Sequence, residues 1–445
     1  MFGLNVSQFS LPFLATLGLV VAVAATVQAA KLHVANNGVD SATCGDKSTP
    51  CRSISQAIQN ASNGDKIIVG PGQYGDLDGD GTFGETGEED AEVGGGCFCM
   101  IKVDKPLAIE SRDGAFATVL DAGGVNISVV SISTGGVVLG KKKKGFTLTH
   151  GGNTSSGLLI TAGTNGVRVT GNVATANSGY GFLFGGSGHL LTGNVATANE
   201  IGFAFSGSGH RFSGNVASAN GVGGFVFDGN GHLLTGNVAT ANDNGFIFIG
   251  SGHLLSGNSA LGNKRFGIFI ENFGGVESAT ITKNNLFGNN SQPIAIGVNT
   301  FTNCGLLNRS GDSFTAPNNF WGTTTGPGTF GSPQPEPADN VCDDLSVSGS
   351  STTVPSFVTK EFKVKVNVLD EFPADAVPVL APRSTIEFPG ESQLSVYSLT
   401  GQLLAIVSNQ TQLALTTRHL PNGIYLTVKT YADGRRELVK LMVKW

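Results

Sequence analysis

A fixed internal repeat between residues 166 and 270 constrains this chain more than any other feature. A Gly-Asn pair returns five times, at intervals of 22, 21, 22 and 21 residues, with its asparagines at Asn172, Asn194, Asn215, Asn237 and Asn258. Self-similarity at a period in this range is typical of a solenoid, in which each repeat forms one structural unit that stacks on the next. The chain is therefore expected to wind into stacked coils.

The residues inside each repeat indicate strands. Each repeat contains short apolar runs separated by Gly, Asn and Ser, and none of these runs is long enough for a helix. Large side chains alternate, as in Phe182-Leu183-Phe184, which is a strand pattern. The spaced consensus of leucine-rich repeats is absent. Each repeat is thus predicted to be one coil of about three short strands, stacked on the next coil at ~4.8 Å.

Two columns of large apolar side chains are predicted to fill the interior of the stack. They recur once per coil, at Phe182, Phe203, Phe225, Phe246 and Ile268, and at Phe184, Phe205, Phe227, Phe248 and Ile270. Successive side chains of a strand point to opposite faces. The residues between the two columns are therefore predicted to point outward, namely Leu183, Ala204, Val226 and Ile247.

Two columns of asparagine are predicted to run beside the apolar ones. The first is the Gly-Asn series, and the second consists of Asn177, Asn199, Asn220, Asn242 and Asn263. Asparagine tolerates left-handed backbone and can hydrogen-bond to its stacked copy. Both columns are interpreted as turn structure without a catalytic role.

The repeated "GNVATAN" and "G-F-x-F" runs resemble those of the right-handed parallel β-helix, the pectate-lyase-like family of folds. The resemblance covers most of residues 31–345 and implies an all-β solenoid. Residues 101–165 are expected to add about three less regular coils of similar length. The resemblance says little about activity, because this fold carries many functions.

The N-terminus is predicted to be a secretory signal. Residues 11–27 are apolar, and Val27-Gln28-Ala29 offers a cleavage site of small residues, although no Lys or Arg precedes the apolar run. The run is short for a membrane span of about 20 residues. Residues 1–30 are therefore assigned to a signal peptide, and the mature protein is expected to be secreted or displayed on the cell surface.

A short helix is predicted over residues 53–61, where Ile54 and Ile58 lie four apart. The first coil follows it at about residue 64. A helix in this place resembles the N-terminal entry of secreted β-helix proteins. It would cover the open end of the stack, where strand edges and core side chains would otherwise be exposed.

The six cysteines fit an oxidising compartment. Cys44 and Cys51 are close in sequence and are predicted to form one disulfide. Cys304 and Cys342 bracket the end of the solenoid and are predicted to form a second. The sequence leaves open whether Cys97 and Cys99 bridge each other, bind a metal or pair elsewhere, although the even count favours disulfides.

Residues 76–92 form an acidic insertion with eight carboxylates and no Lys or Arg. Its "DLDGDG" run places Asp at positions 1, 3 and 5 and Gly at position 6, as in an EF-hand-like calcium loop, but position 12 is Gly87 and no flanking helices are predicted. Calcium prefers such hard oxygen ligands. The predicted ligands of a calcium ion are Asp76, Asp78, Asp80, Glu85 and Glu88. The alternative is a solvated acidic loop.

Four histidines also recur once per coil, at His189, His210, His232 and His253. Stacked rings about 5 Å apart could share a metal. No carboxylate recurs with them, and Val167 and Ala279 occupy the same position in the flanking coils. The column is therefore interpreted as a packed ladder of neutral imidazoles.

The C-terminal part changes character. Residues 318–328 resemble the last coil of secreted β-helix proteins, residues 346–383 are predicted to be a linker, and residues 384–445 show longer alternating strands. This last stretch is predicted to form a small β-sandwich-like domain. Its "VYSLTG" and "LPNGIY" runs and its terminal Lys440 resemble the C-terminal sorting domain of type IX secretion cargo. That resemblance implies the secretion machinery as a partner.

Two classes of function remain for comparison. A polysaccharide lyase or hydrolase acting on an acidic polysaccharide would need a base and a cation or Arg beside the sugar. Arg168 and Arg211 share an outward position two coils apart, and no carboxylate pair recurs beside them. The near-identical coils favour a non-catalytic adhesin-like or matrix scaffold that contacts polysaccharide or cell-surface glycan. The net charge of −6 argues against nucleic acid as a partner.

Overall fold

The computed structural model describes residues 29–363 except 79, 86, 95–96, 272–277, 291, 297–298 and 330–337, and also five strands between residues 379 and 443. Residues 1–28 of the predicted signal peptide lie outside this part. Among the described residues, no helix combines the length and the apolar character that a membrane span requires.

The chain winds into a right-handed parallel β-helix, which confirms the predicted fold. Its N-terminal part comprises β1 Lys31–Val34, α1 Ile54–Asn60, β2 Lys66–Val69, β3 Gly72–Gly75, β4 Glu92–Gly94, β5 Cys97–Val103, β6 Ala108–Ser111, β7 Thr118–Asp121, β8 Ser128–Ile132, β9 Val138–Leu139, β10 Thr147–Thr149 and β11 Ser156–Ile160. The regular coils comprise β12 Arg168–Thr170, β13 Val173–Thr175, β14 Tyr180–Phe184, β15 Leu190–Thr192, β16 Val195–Thr197, β17 Ile201–Phe205, β18 Arg211–Ser213, β19 Val216–Ser218, β20 Gly223–Asn230, β21 Leu233–Thr235, β22 Val238–Thr240, β23 Asn244–Ser251, β24 His253–Ser256, β25 Ser259–Leu261 and β26 Ile268–Glu271. The end of the stack comprises β27 Ala279–Thr282, β28 Asn285–Phe287, β29 Ile294–Ile296, β30 Asn299–Phe301, β31 Cys304–Arg309, β32 Ser313–Thr315, β33 Gly328–Thr329, β34 Asn340–Asp343 and β35 Ser351–Thr353.

Each full coil supplies one strand to each of three sheets. The first sheet has the order β1-β2-β6-β9-β12-β15-β18-β21-β24-β27, the second β28-β25-β22-β19-β16-β13-β10-β7-β3, and the third β33-β34-β31-β26-β23-β20-β17-β14-β11-β8-β5-β4. Pairing between coils is parallel, whereas β4 with β5 and β29 with β30 form antiparallel hairpins. The order means that the sheets grow one coil at a time along the chain.

The register between coils follows the repeat in the sequence. Phe203 pairs with Phe182 on one side and with Phe225 on the other, and its ring lies 4.8 Å from each of theirs. Both predicted columns, from Phe182 and Phe184 onward, are buried in the core. Of the residues predicted to point outward, Ala204 is only 8% exposed, because its methyl group lies between the larger Leu183 and Val226.

Both asparagine columns are buried and hydrogen-bonded along the stack. The Oδ1 atom of Asn215 accepts from the backbone N–H and the Nδ2 of Asn194, at 2.9 and 3.0 Å. Its own Nδ2 donates to the carbonyl oxygen of Leu191 and to Oδ1 of Asn237, both at 3.0 Å. Each side chain therefore satisfies buried backbone groups as well as its neighbours, which is the condition for a polar column inside a core.

The left-handed backbone at these turns does not lie on the asparagines themselves. It falls one residue earlier, on glycine in the first column and on alanine in four coils of the second, at Ala176, Ala198, Ala219 and Ala241, with φ between 53° and 55°. Because the chain bends one residue before each asparagine, the asparagine side chain can point inward. Gly262 and Gly288 occupy the same position in the next two coils.

Replacing one of these alanines by glycine is expected to stabilise the protein. Left-handed backbone costs an L-residue about 1–2 kcal/mol, and Ala198→Gly would remove this cost. Glycine also gives the unfolded chain more conformational freedom, which lowers the stability by about 0.4–1 kcal/mol. The measurement is urea unfolding, with an expected gain of about 0.5–1 kcal/mol. The matched control is Ala196→Gly, two residues earlier in β16 and fully buried, which should lose stability. Equal losses in both variants would contradict the strain argument.

The coils before the regular repeat are longer than expected. Strands of the first sheet begin at Ala108, Val138 and Arg168, so residues 101–165 hold two full coils instead of about three. The additional residues lie in the turns, where the backbone of Gly123, Gly124, Lys143 and His150 is left-handed. The repeat length of the regular coils was thus a poor guide to these two.

The predicted helix covers the N-terminal end of the stack. Ser53 caps α1 by accepting at Oγ from the backbone N–H of Gln56, and Ile54, Ala57 and Ile58 are buried. At the other helix end, Lys105 Nζ donates to three carbonyl oxygens, those of Ile58, Gln59 and Ala61, at 2.9–3.0 Å. A cation at a helix C-terminus satisfies the last carbonyl groups and complements the helix dipole.

At the C-terminal end, residues 318–328, which resemble a last coil, contain the last asparagine of the first column. Asn319 accepts from the backbone N–H and the Nδ2 of Asn284, and Trp321 beside it is fully buried. The strand β35 lies inside the stretch predicted as a linker and pairs in parallel with β32. The solenoid therefore extends at least to Thr353.

All six cysteines form disulfides. The pairs are Cys44 with Cys51, Cys304 with Cys342 and Cys97 with Cys99. The first two are the pairs that the sequence predicts, and the third settles the alternatives that it left open. Cys97 and Cys99 lie in β5, which follows the acidic insertion after the short strand β4.

The C-terminal strands form one sheet of five. They are β36 Val379–Leu380, β37 Gln393–Tyr397, β38 Leu403–Val407, β39 Gly423–Thr430 and β40 Arg436–Val443, in the order β36-β40-β39-β37-β38. The β37–β38 and β39–β40 pairs are antiparallel, as the hairpin signals indicate. Residues 398–401 and 420–422 of the sorting-like motifs lie outside the described residues, so this assignment stays a prediction.

Candidate functional site

The acidic insertion leaves the first coil directly after β3. The carboxylate oxygens of Asp76, Asp78 and Asp80 lie within 4.8 Å of one another, with Asp76 buried and the other two exposed. Asp76 Oδ2 also accepts from the backbone N–H of Gly81 at 2.8 Å. The structure thus brings together three of the five predicted metal ligands.

The two predicted glutamate ligands lie in different environments. Glu88 is buried, its Oε1 accepts from the backbone N–H of Leu77 at 2.8 Å, and its Oε2 has no hydrogen-bond partner. Glu85 is exposed, and the nearby Asp80 and then Asp78 carboxylates raise its pKa. The insertion therefore concentrates negative charge on both its buried and its exposed side.

Glu89 has a structural role that the sequence did not reveal. It is buried and accepts from the backbone N–H groups of Ile54 and Ser55, at 2.7 and 2.9 Å, and from the Ser55 hydroxyl at 2.7 Å. Burial raises its pKa, which these hydrogen bonds oppose. A carboxylate at a helix N-terminus satisfies free N–H groups. The acidic insertion is therefore fastened to the capping helix.

The histidine column is built as a ladder of neutral rings. Neighbouring rings of His189, His210, His232 and His253 lie 4.9–5.1 Å apart and are buried. In His210, Nδ1 accepts from the backbone N–H of His189 at 3.2 Å, and Nε2 lies 2.9 Å from the carbonyl oxygen of Ser206. This pattern assigns the hydrogen to Nε2.

Burial dominates the electrostatics of this column. It lowers the pKa of His210, His232 and His253 to about 4, and it also lowers the pKa of His189. The hydrogen bond from each Nε2 to a backbone carbonyl opposes the shift only in part. The rings are thus neutral at pH 7, and both nitrogens of each are already occupied.

The outward face of the first sheet carries two columns of recurring side chains, one of Arg or Leu and one of Thr or Ser. One column runs through Arg168, Leu190, Arg211, Leu233 and Leu254, and a second consists of hydroxyl groups from Thr170, Thr192, Ser213, Thr235 and Ser256. Arg168 and Arg211 are exposed and separated by the coil of Leu190, which places them about 10 Å apart.

Carboxylates of the regular coils do not join these arginines. Between residues 166 and 270, all of which the structure describes, Asp228 projects from the third sheet and Glu200 lies in a turn. Asp243 lies 3.8 Å from Arg265, and burial raises its pKa. Catalysis requires an acid, a base and a charge-stabilising group within reach of one another. In this range no such set of acid, base and cation lies on one outward face.

One imidazole–carboxylate pair lies outside the regular coils. His150 Nδ1 is 2.8 Å from Asp121 Oδ1, and Gln73 Nε2 donates to the other oxygen of Asp121 at 3.2 Å. The His150 side chain is 42% exposed. This pair could not be predicted from the sequence, because the two residues lie 29 positions apart in coils of irregular length.

Two family profiles are similar to parts of the chain, each over less than half of its length. The profile of the family described as "Right handed beta helix region" matches residues 156–321. The profile described as "Periplasmic copper-binding protein (NosD)" matches residues 59–233. No curated protein sequence matches the chain.

Solved structures similar to the chain share little sequence with it. A rhamnogalacturonan lyase is 14% identical, with a TM-score of 0.45, covering 87% of this chain and 98% of that one. The A-module of mannuronan C-5 epimerase AlgE6 from Azotobacter vinelandii is 14% identical, with a TM-score of 0.41, covering 69% and 94%. A GH136 lacto-N-biosidase from Eubacterium ramulus is 10% identical, with a TM-score of 0.41, covering 75% and 68%.

The residues of the stretch 59–233 do not fit a copper site. Its two cysteines, Cys97 and Cys99, are joined in a disulfide, and His150 is paired with Asp121. Its other histidines belong to the neutral column, in which each ring nitrogen already has a partner. Copper prefers free imidazole and thiolate or thioether donors. The cysteines and the column histidines of this stretch are therefore already engaged in other contacts.

Proposed function

We propose that the chain is an extracytoplasmic β-helix scaffold that contacts carbohydrate through its repeated outward faces and does not turn it over. The observation that supports this most is the uniformity of those faces. Through five coils they repeat Leu or Arg in one column and Thr or Ser in the next. Repeat proteins use such extended surfaces for binding.

The outward columns suit an extended glycan. Hydroxyl groups spaced at ~4.8 Å along the stack can hydrogen-bond to successive sugars, and the leucines beside them offer apolar contact for sugar ring faces. Arg168 and Arg211 add positive charge for carboxylate or sulfate groups of an acidic polysaccharide.

Two observations support a location outside the cytoplasm. Disulfides persist in oxidising compartments, and the structure contains three. One matching profile is described as that of a periplasmic protein. The signal-like residues 1–30 agree with this proposal.

Binding without turnover is the expected result on a panel of acidic polysaccharides. Retention on immobilised pectate or alginate should fall in the double variant Arg168→Ala/Arg211→Ala. It should persist in the control Lys264→Ala, which changes a charge in a turn. No unsaturated product should appear in ultraviolet absorbance, with or without calcium. Failure of every polysaccharide to bind would refute glycan contact.

The half-buried pair of His150 and Asp121 favours the alternative, a polysaccharide lyase or hydrolase with its centre in the irregular coils. A carboxylate that orients an imidazole is a common general-base arrangement. Product formation that disappears in His150→Ala would establish this alternative. Loss of product in Arg211→Ala would instead place the centre on the regular coils.

A further inference from the structure

The acidic insertion holds more negative charge than its protein surroundings neutralise. Asp78, Asp80 and Glu88 take part in none of the ion pairs among the described residues. Three carboxylates within 4.8 Å repel one another. Such an arrangement is stable when a cation lies between the oxygens.

Glu88 provides an independent indication of a bound cation. It is only 7% exposed, and its Oε2 has no hydrogen-bond partner. Its other oxygen is held by the backbone N–H of Leu77, which lies between Asp76 and Asp78 in the chain. The carboxylate is thus fixed against the loop that carries the other three. A buried carboxylate oxygen without a partner is costly, and a metal ion would satisfy it.

The structure also distinguishes the two glutamates that lie beside the missing ligand position. In an EF-hand-like loop that starts at Asp76, the bidentate ligand would be at Gly87. Glu88 follows it directly and is buried against the loop, whereas Glu85 is exposed. Glu88 is therefore the glutamate held against the loop beside the missing ligand position, while the carboxylates already within 4.8 Å of one another are those of the three aspartates.

We propose that Asp76, Asp78, Asp80 and Glu88 bind one calcium ion, and that this ion fastens the capping helix to the β-helix. Four carboxylates and water supply the six to eight oxygen ligands that calcium takes. The coupling runs through adjacent residues, because Glu89 follows Glu88 and accepts from the first N–H groups of α1. Fixing Glu88 on the ion holds Glu89 in place on the helix.

Calcium titration of the full chain, by calorimetry after exhaustive chelation, tests the site. Wild type should bind one ion with a dissociation constant in the range of about 0.1–1 mM, typical of extracellular modules. Asp78→Asn and Glu88→Gln should each weaken binding at least about tenfold. The control Asp104→Asn, an exposed carboxylate outside the loop, should bind as wild type does.

Hydrogen exchange at the amides of Ile54 and Ser55 tests the coupling. Calcium should slow their exchange in wild type and have no such effect in Glu88→Gln. Glu89→Gln should keep calcium affinity within a few-fold and lose the effect on these amides. Absence of binding up to about 10 mM calcium, or equal binding by Asp78→Asn and Asp104→Asn, would overturn the site. Calcium binding that leaves the exchange of both amides unchanged in wild type would overturn the coupling.

Discussion

Phe225→Asp should destabilise the protein by more than about 4 kcal/mol, because the new carboxylate would be buried without a partner. The Phe225 ring is fully buried and stacks at 4.8 and 4.9 Å on the rings of Phe203 and Phe246. Removal of the ring would also leave a cavity between them. Urea unfolding monitored by circular dichroism measures the loss.

The next residue supplies the control for this prediction. Val226 lies in the same strand on the opposite face and is partly exposed, so that Val226→Asp leaves its charge in contact with water. We expect a loss of about 1 kcal/mol or less for this variant. Equal destabilisation by the two substitutions would contradict the inward position of the phenylalanine column.

Acid should destabilise the protein through its histidine column. An unfolded histidine has a pKa near 6.5, whereas burial lowers the pKa of His210, His232 and His253 to about 4. Between these values the unfolded chain binds more protons than the folded one. The free energy of unfolding is therefore unaffected by these rings above about pH 6.5. It falls as the pH is lowered towards 4, by about 3 kcal/mol for each ring.

The slope of the unfolding free energy against pH, compared between wild type and a histidine variant, separates this effect from that of the carboxylates. His210→Gln removes one titrating ring and keeps a donor and an acceptor at the position. Near pH 5 its slope should be smaller than that of wild type by nearly one proton. An unchanged slope would show that His210 already titrates normally in the folded protein.

The repeat length determined most of the fold in advance. Intervals of 21 and 22 residues bring each coil into register, so Phe182, Asn194 and His210 fall into columns with their counterparts in neighbouring coils. The period-2 pattern then distinguishes Phe225 from Val226. These features depend on short-range spacing, which a sequence displays directly.

The remaining features depend on contacts between distant residues. Glu89 caps a helix 35 positions earlier, and nothing in its neighbourhood distinguishes it from the other acidic residues. His150 meets Asp121 across coils whose lengths differ from the regular ones. Asparagine tolerates left-handed backbone, but in the second column its side chain points inward and forms hydrogen bonds along the stack. The left-handed residue is the alanine before it.

The asparagine columns make the two ends of the β-helix electrically different. Before the last member of each column, every side-chain amide donates to the asparagine of the coil that follows, as Asn194 does to Asn215 and Asn215 to Asn237. Their dipoles therefore align along the axis. Parallel sheets by themselves carry little net dipole. The second column ends at Asn289, whose Nδ2 donates to the carboxylate of Asp339 at 2.7 Å. A negative charge therefore stands at the positive end of this row of dipoles, where it is stabilised as an anion is at a helix N-terminus.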